Sequence, residues 1–241
     1  VFLFVFDCNS LYARKNPLAV IEAFKQAFEI TAPVRLIIKC VNEKANPLAF
    51  AEMLAHAEGH PVFFRTGFFS RDDMQNLMAG CDAYISLHRA EGAGLTIAEA
   101  MAHGKPTIAT SWSGNMDFMT VSNSFPVSFE LIELKENAGP YRAGEVWAEP
   151  SVEHAARLMQ HVFANRDDAK ARGLRAQRSI ETDFSESSIA RLLQLRMEAI
   201  STRQRLPSFR EETKAVFAAY LRLADQVRRQ IADVVPFGAT V

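Results

Sequence analysis

Short apolar runs alternate with amphipathic segments along the first two-thirds of the chain. Continuous apolar runs, typical of strands buried on both faces of a parallel sheet, occur at Val1–Asp7, Val34–Cys40, Pro61–Gly67, Ala83–His88 and Lys105–Thr110. Helical spacing between them predicts helices at Pro17–Ile30, Pro47–Glu58, Ser70–Ala79 and Thr96–His103. Asn16 and Ser70 stand where helix N-caps are expected, and Asp73 completes a capping box with Ser70. Strand–helix repetition with short joints predicts a doubly wound, Rossmann-like α/β domain.

The alternation loosens in residues 121–150, where three prolines and two glycines predict irregular chain with one or two short strands. Three helical segments follow, at Ser151–Arg166, Asp167–Thr182 and Ser185–Ile200. Pro207 then interrupts the pattern, and Phe209–Val234 predicts one more amphipathic helix. We therefore expect one domain over residues 1–200, and a C-terminal helix and tail over residues 201–241.

Composition narrows the classes of partner. Apolar residues make up 49% and charged residues 23% of the 241, which is ordinary for a globular protein. A formal net charge of −1 provides no overall field for nucleic acid or an anionic membrane, so an anionic ligand must be held by local groups. Cys8, Cys40 and Cys81 lie far apart, which favours buried thiols in a reducing compartment such as the cytoplasm. The histidines lack metal-ligand spacing, and no metal site is expected.

The loop after the first strand, Asp7–Asn16, carries two adjacent cations, Arg14 and Lys15, directly before a helix that begins at Pro17. Cations are mildly unfavourable beside a helix N-terminus, because that end already has partial positive charge. A bound phosphate group in the same place would remove the conflict. The alternative is an exposed basic pair on a solvated loop.

The stretch Ser86–Pro106 holds the strongest chemical signal. Glu91 follows the fourth strand, and Gly92 and Gly94 allow backbone to approach a ligand closely. Glu99 lies about one turn into the next helix, and its side chain leans back towards the same mouth. Two carboxylates beside free N–H groups suit a polyol that carries a phosphate, although Glu99 could serve only the helix dipole.

Seven residues separate Glu91 from Glu99, and this spacing resembles the paired-glutamate signature of glycosyltransferase family 4. The segments EAMAHGKPTIAT and Arg14–Pro17 also resemble that family, over about residues 1–200 in all. The segments SLHRAEGAG, SWSGN and VWAEP most resemble a bacterial branch of the family that builds surface polysaccharides. The resemblance implies the C-terminal, nucleotide-sugar-binding half of a two-domain GT-B enzyme.

Residue roles come from the same resemblance. Lys15 and Arg14 would bind the donor diphosphate, Glu91 would hold the donor sugar, and Glu99 would bind the ribose. The backbone N–H groups that assist Glu91 belong to Gly92, Ala93, Gly94 and Leu95.

Other positions around this cleft are implied more loosely. Phe68 would lie beside the nucleobase. Many members have Gly-Arg at the end of the first strand where this chain has Phe6-Asp7, so the second cation at the diphosphate is either Arg14 or Lys39. Asn115, in the loop after the fifth strand, either lines the sugar pocket or only caps a turn. His88 is either a sugar contact or the polar end of a strand.

The implied activity is retaining transfer of a sugar from a nucleoside-diphosphate donor to a glycan or lipid-linked acceptor, without a cofactor or an essential metal. Because the chain opens on Val1 inside a strand, we expect that an acceptor-binding domain precedes it and that the isolated chain is inactive. The full-length enzyme is expected in the cytoplasm or at the inner face of the membrane.

A non-catalytic nucleotide- or glycan-binding module and a nucleotide-sugar epimerase remain alternatives. The tail would dock on the acceptor domain, on a second copy of the chain, or on its own core.

Overall fold

The computed structural model describes residues 1–203. Its centre is a sheet of six parallel strands in the order β3-β2-β1-β4-β5-β6. The strands are β1 Phe2–Asp7, β2 Leu36–Val41, β3 Val62–Arg65, β4 Ala83–Ser86, β5 Thr107–Thr110 and β6 Phe125–Val127. The order reverses between β1 and β4, which confirms the doubly wound, Rossmann-like class. Ligands of such sheets typically bind at the carboxyl ends of the two strands where the order reverses.

Helices cover both faces of the sheet. They are α1 Tyr12–Lys15, α2 Pro17–Ala27, α3 Pro47–Ala57, α4 Arg71–Gly80, α5 Leu95–Ala102, α6 Val152–Ala164 and α7 Arg166–Asp183. A further helix, α8 Glu186–Arg203, follows along the chain. Alternate residues of β1 divide the core: Phe2, Phe4 and Phe6 pack with α2, α3 and α6, whereas Leu3 packs with α4, α5 and α7. Every predicted strand and helix within residues 1–200 is present, with ends that differ by a few residues.

The start of α2 differs from the prediction. Pro17 occupies the first turn as expected, but the Asn16 side chain makes no capping hydrogen bond. Asn16 instead ends α1, a single turn that the sequence pattern did not reveal, and its φ of 53° lies in the left-handed region that asparagine tolerates. The Ser70 cap is confirmed, because its hydroxyl oxygen accepts the Asp73 N–H at 3.1 Å.

Residues 121–150 contain three strands instead of the one or two predicted. Besides β6, which extends the central sheet, β7 (Phe129–Glu133) and β8 (Val146–Pro150) pair as an antiparallel hairpin. The sequence pattern predicted too few strands here for two reasons. The strand β6 is only three residues long and contains Pro126, and a long loop separates the two strands of the hairpin.

Contacts divide the chain into a compact unit, residues 1–185, and a second unit that starts at Glu186 and includes α8. The predicted domain boundary at residue 200 stays a prediction. Pro207 and the helix predicted at Phe209–Val234 lie outside the described residues. No helix in the described part of the chain is both long and apolar enough to span a membrane.

Candidate active site

The β1–α1 loop and the β4–α5 loop meet at the point where the strand order reverses. Lys15 Nζ lies 2.5 Å from Glu91 Oε2, and Arg14 Nη1 lies 3.4 Å from the same oxygen. Arg14 Nη1 also donates to the Ala90 carbonyl at 2.8 Å. Burial alone would raise the pKa of Glu91, but the hydrogen bond and charge of Lys15, with the charge of Arg14, hold it below its usual value. Two cations therefore share one ionised carboxylate, which leaves the cluster with a net positive charge.

Gly94 stands at the N-cap position directly before α5, with a φ of +72°. A Cβ there would lie 3.2 Å from both the Asn115 and Phe118 side chains, so glycine suits both the backbone conformation and the packing. Because Gly94 has no side chain, it cannot cap the first-turn N–H groups of α5. The adjacent Gly92 and Ala93 are exposed. This arrangement gives a helix N-terminus that is open to an anionic or hydroxylated ligand.

Glu99 lies in the second turn of α5 and makes no ion pair within residues 1–203. Partial burial raises the pKa of its carboxyl group, against the opposing charge of His103. The hydroxyl group of the buried Tyr84 donates a hydrogen bond to Thr96 Oγ1 at 2.9 Å. Burial and then the negative charges of Glu91 and Glu99 raise the pKa of that hydroxyl. Glu91 lies three residues before Gly94 and Glu99 five residues after it, so both glutamates lie near the start of α5.

The loop after β5 is joined to the β4–α5 loop through backbone. The Gly114 N–H donates to the Glu91 carbonyl at 3.0 Å, and the Glu91 N–H donates to Ser113 Oγ at 2.8 Å. A Cβ on Gly114 would lie 1.8 Å from the Gly92 carbonyl oxygen, so no side chain fits there. Ser113 has a φ of 71° and ψ of −152°, a region in which non-glycine residues are strained. Strain at this position indicates that the surrounding contacts dictate the shape of the loop.

His88 and Asn115 lie beneath this loop pair and are both 0% exposed. The His88 Nε2 atom lies 3.0 Å from Asn115 Oδ1, and Asn115 Nδ2 donates to the Thr110 carbonyl at 2.9 Å. His88 Nδ1 lies 3.1 Å from Ser86 Oγ. These polar groups link strand ends and loops, which fits the interpretation of His88 as the polar end of a strand.

Lys39 does not lie with Lys15, contrary to one alternative from the sequence. It is 1% exposed, its Nζ donates to the carbonyls of Gly67 and Cys40, and it lies 4.1 Å from the centre of the Phe69 ring. Burial lowers the pKa of its ammonium group. Lys39 thus holds the loop after β3, and Arg14 is the second cation beside Lys15. In that loop Phe68 is 81% exposed.

Sequence reasoning missed Arg89, Ser113 and Tyr84, which shape the site from its periphery. Arg89 Nε and Nη2 bind the Glu149 carboxylate at 2.7 and 2.9 Å. Of these three, Tyr84 gave a signal, because it and Ser86 carry hydroxyl groups in an otherwise apolar strand. Within residues 1–203 no cluster of histidine, cysteine and acidic side chains could hold a metal ion.

The sequence model of the family Glycosyl transferases group 1 matches residues 3–124, which include every candidate residue of the site. The chain belongs to this family. No curated protein sequence matches it.

Solved glycosyltransferase structures of the GT-B kind share the fold. A glycosyltransferase of Rickettsia africae matches with a TM-score of 0.63 and 19% identity, over 83% of this chain and 47% of that one. HepE of Anabaena, in complex with UDP, matches with a TM-score of 0.61 and 20% identity, over 82% and 48%. The C-terminal domain of LpcC, a group 1 protein of Francisella tularensis, matches with a TM-score of 0.58 and 12% identity, over 77% and 86%. The chain spans about half the length of HepE.

Proposed function

We propose that this chain is the donor-binding half of a retaining glycosyltransferase that uses a nucleoside-diphosphate sugar. The whole enzyme would transfer the sugar to a glycan or lipid-linked acceptor in the synthesis of bacterial surface polysaccharide. Membership of the group 1 family supports glycosyl transfer. The HepE crystals hold UDP, UDP with glucose, or UDP-glucose, which supports a nucleoside diphosphate as the leaving group.

The cluster of Lys15, Arg14 and Glu91 carries the proposal. A diphosphate that enters beside Glu91 meets two cations that now share one carboxylate, and it meets uncapped N–H groups of α5. When the bond between sugar and diphosphate breaks, negative charge grows on the leaving phosphate oxygen. Cations already fixed in place stabilise that charge without reorganisation, which is an efficient way to lower a barrier. This chemistry needs no metal ion.

The remaining residues are assigned around the diphosphate. Glu91 and the N–H groups from Gly92 to Leu95 would bind hydroxyls of the donor sugar, and Glu99 would bind the ribose. His88 and Asn115 would support the sugar pocket from below, because their polar atoms are already engaged with each other and with backbone. Phe68 would contact the base.

The acceptor would be held by a second domain, as the length of HepE relative to this chain suggests. His88 is 0% exposed and both its ring nitrogens are engaged, so it is not an obvious general base, and Glu99 is assigned to the ribose. A second domain or the substrates would then complete the proton transfer. Association of the whole enzyme with the inner membrane face, and pairing through the tail, are parts of the same proposal.

A thermal-shift screen of nucleoside diphosphates and their sugars tests donor binding. A ligand present at 100 times its Kd stabilises a folded protein by about 2.7 kcal/mol, so the true base should give the largest shift. We expect a clear rise in Tm with one nucleoside diphosphate and little with the matching nucleoside or orthophosphate. No difference among these ligands would contradict the proposal. Binding without transfer by the full-length protein would indicate a non-catalytic module.

A further inference from the structure

Arg89 joins three segments that are distant in sequence. Its guanidinium group binds both carboxylate oxygens of Glu149 in β8, and its Nη1 donates to the Ala13 carbonyl of α1 at 2.7 Å. The Arg89 backbone N–H donates to the Arg14 carbonyl at 2.8 Å, and its carbonyl accepts the Ala148 N–H at 3.1 Å. Arg89 therefore links the helix that carries Lys15, the loop that carries Glu91, and the β7–β8 hairpin.

These bonds compensate for a weakness of α1. A helix of one turn leaves its last carbonyl groups without partners, and such a short helix has little stability of its own. Arg89 satisfies two of these carbonyls, those of Ala13 and Arg14. In return, Arg14 Nη1 donates to the Ala90 carbonyl. The shape of α1, and with it the position of Lys15, thus depends on residues in the β4–α5 loop.

Arg89 itself is unavailable to a ligand phosphate. Its Nε and Nη2 bind Glu149, a pairing in two parallel hydrogen bonds that is the strongest geometry between these side chains, and its Nη1 binds Ala13. Glu149 is held in turn by β8, which pairs with β7 along five residues. The hairpin therefore supplies a fixed anchor for the arginine.

We propose that Arg89 and Glu149 are positioning residues, which align Lys15 and Arg14 with Glu91 for the donor diphosphate. This inference deepens the proposed function and rests on it for the identity of the ligand. It assigns the β7–β8 hairpin a role in donor binding, although no hairpin residue need touch the donor.

The test compares Arg89→Lys and Glu149→Gln with a control, Arg157→Ala, which breaks an exposed ion pair with Glu153 on α6. The first measurement is an NMR titration of the Glu91 carboxyl group in the ligand-free chain. If Arg89 aligns the two cations with Glu91, both site variants should raise the pKa of Glu91 towards its usual value, and the control should leave it unchanged. A role in general stability alone would not move this titration.

The second measurement is calorimetric binding of the nucleoside diphosphate that gives the largest thermal shift, beside its nucleoside. We expect about tenfold weaker binding of the diphosphate by Arg89→Lys and a smaller loss by Glu149→Gln, with nucleoside binding unchanged. All variants are compared at a temperature at which circular dichroism shows them folded. If Arg89→Lys does not fold, Glu149→Gln decides, because that substitution keeps the shape of the side chain and removes only its charge.

The outcomes separate the two proposals. If no nucleoside diphosphate binds the unmodified chain, the proposed function fails, and the titration of Glu91 still decides whether Arg89 aligns the cluster. An unchanged Glu91 titration in both site variants would overturn the positioning role. Equal losses for the nucleoside and the diphosphate would overturn it as well.

Discussion

The two ends of the candidate site are built differently. At the end proposed to bind the diphosphate, Lys15 and Arg14 converge on Glu91, and the loops on either side are joined through backbone groups. At the end proposed to bind the base, Phe68 is 81% exposed, and the buried Lys39 holds the loop that carries Phe68. One end is fixed by contacts within the protein, and the other presents a side chain to solvent.

This difference matches the roles proposed above for the two ends. Charge develops at the diphosphate, and groups that are already oriented stabilise it without the free-energy cost of reorganisation. The base carries no developing charge and needs mainly contact area, which an exposed aromatic ring can supply. We therefore expect substitutions at the diphosphate end to alter affinity steeply, and substitutions at the base end to alter it mildly.

Gly114→Ala should have the largest effect. The new Cβ would lie 1.8 Å from the Gly92 carbonyl oxygen, so the loop after β5 must move away from the loop that carries Glu91. We expect a loss of about 3 kcal/mol in the free energy of unfolding, as for overpacked interiors. Chemical denaturation measures this loss, and calorimetry of the folded variant should show weakened binding of the nucleoside diphosphate.

Gly173→Ala is the matched control. Its Cβ would lie 2.1 Å from the Gly104 carbonyl oxygen, in the packing of α7 against the end of α5 and away from the cleft. It should destabilise the protein comparably and leave the nucleotide affinity of the folded form unchanged. Equal changes of affinity in the two variants would show that the loop contact has no particular role at the site.

Lys15→Ala should have the next largest effect. The variant loses a charge-assisted contact to phosphate, which typically contributes about 2 kcal/mol, so binding of the nucleoside diphosphate should weaken about thirtyfold. Binding of the nucleoside should hardly change, because it has no phosphate. Lys170→Ala, on α7 beside the amino ends of β1 and β4, is the control. Equal losses for nucleoside and diphosphate would place Lys15 outside the phosphate site.

The cluster of Lys15, Arg14 and Glu91 was largely predictable because its signals are local, and its role towards a diphosphate stays a prediction. Helix geometry places Glu99 one turn beyond Gly94, so the spacing from Glu91 fixes both carboxylates near the start of α5. The adjacent pair Arg14 and Lys15 was equally visible in the sequence. What the sequence did not reveal is α1 itself, whose single turn depends on hydrogen bonds from Arg89.

The pairing of Arg89 with Glu149 and the burial of Lys39 depend on contacts between distant segments, which no local pattern in the sequence specifies. Arg89 and Glu149 are sixty residues apart, and their pairing requires the β7–β8 hairpin. Lys39 appeared available because it lies near the end of a strand. The loop after β3 folds over it and binds its ammonium group through Gly67.

His88 should make stability depend on pH. Burial lowers its pKa, although the Trp112 carbonyl and the charge of Glu91 act in the opposite direction. Below the usual histidine pKa the unfolded chain therefore binds a proton that the folded chain does not, and the free energy of unfolding falls as the pH falls. The slope can reach about 1.4 kcal/mol per pH unit for one proton.

Chemical denaturation between about pH 5.5 and 7.5 measures this slope above the range in which carboxyl groups titrate. His88→Asn should reduce it, even though the variant is less stable at every pH. His154, whose pKa burial also lowers, contributes the same slope to both proteins. His60→Asn, in the turn before β3, is the control. A slope that is unchanged in His88→Asn would show that His88 does not stay neutral in the folded chain.

Phe68→Ala tests the open end of the site and should have the smallest effect. The ring is 81% exposed, so its removal should leave the free energy of unfolding within about 0.5 kcal/mol of that of the unmodified chain. If the ring stacks on the base, the affinities for nucleoside and nucleoside diphosphate should fall equally, by about 1 kcal/mol, because both ligands carry the base. This parallel loss is the opposite of the split expected for Lys15→Ala. Leu48→Ala, which removes another largely exposed apolar side chain, controls for loss of surface area. A Phe68→Ala variant that binds both ligands as tightly as the unmodified chain would show that the base lies elsewhere.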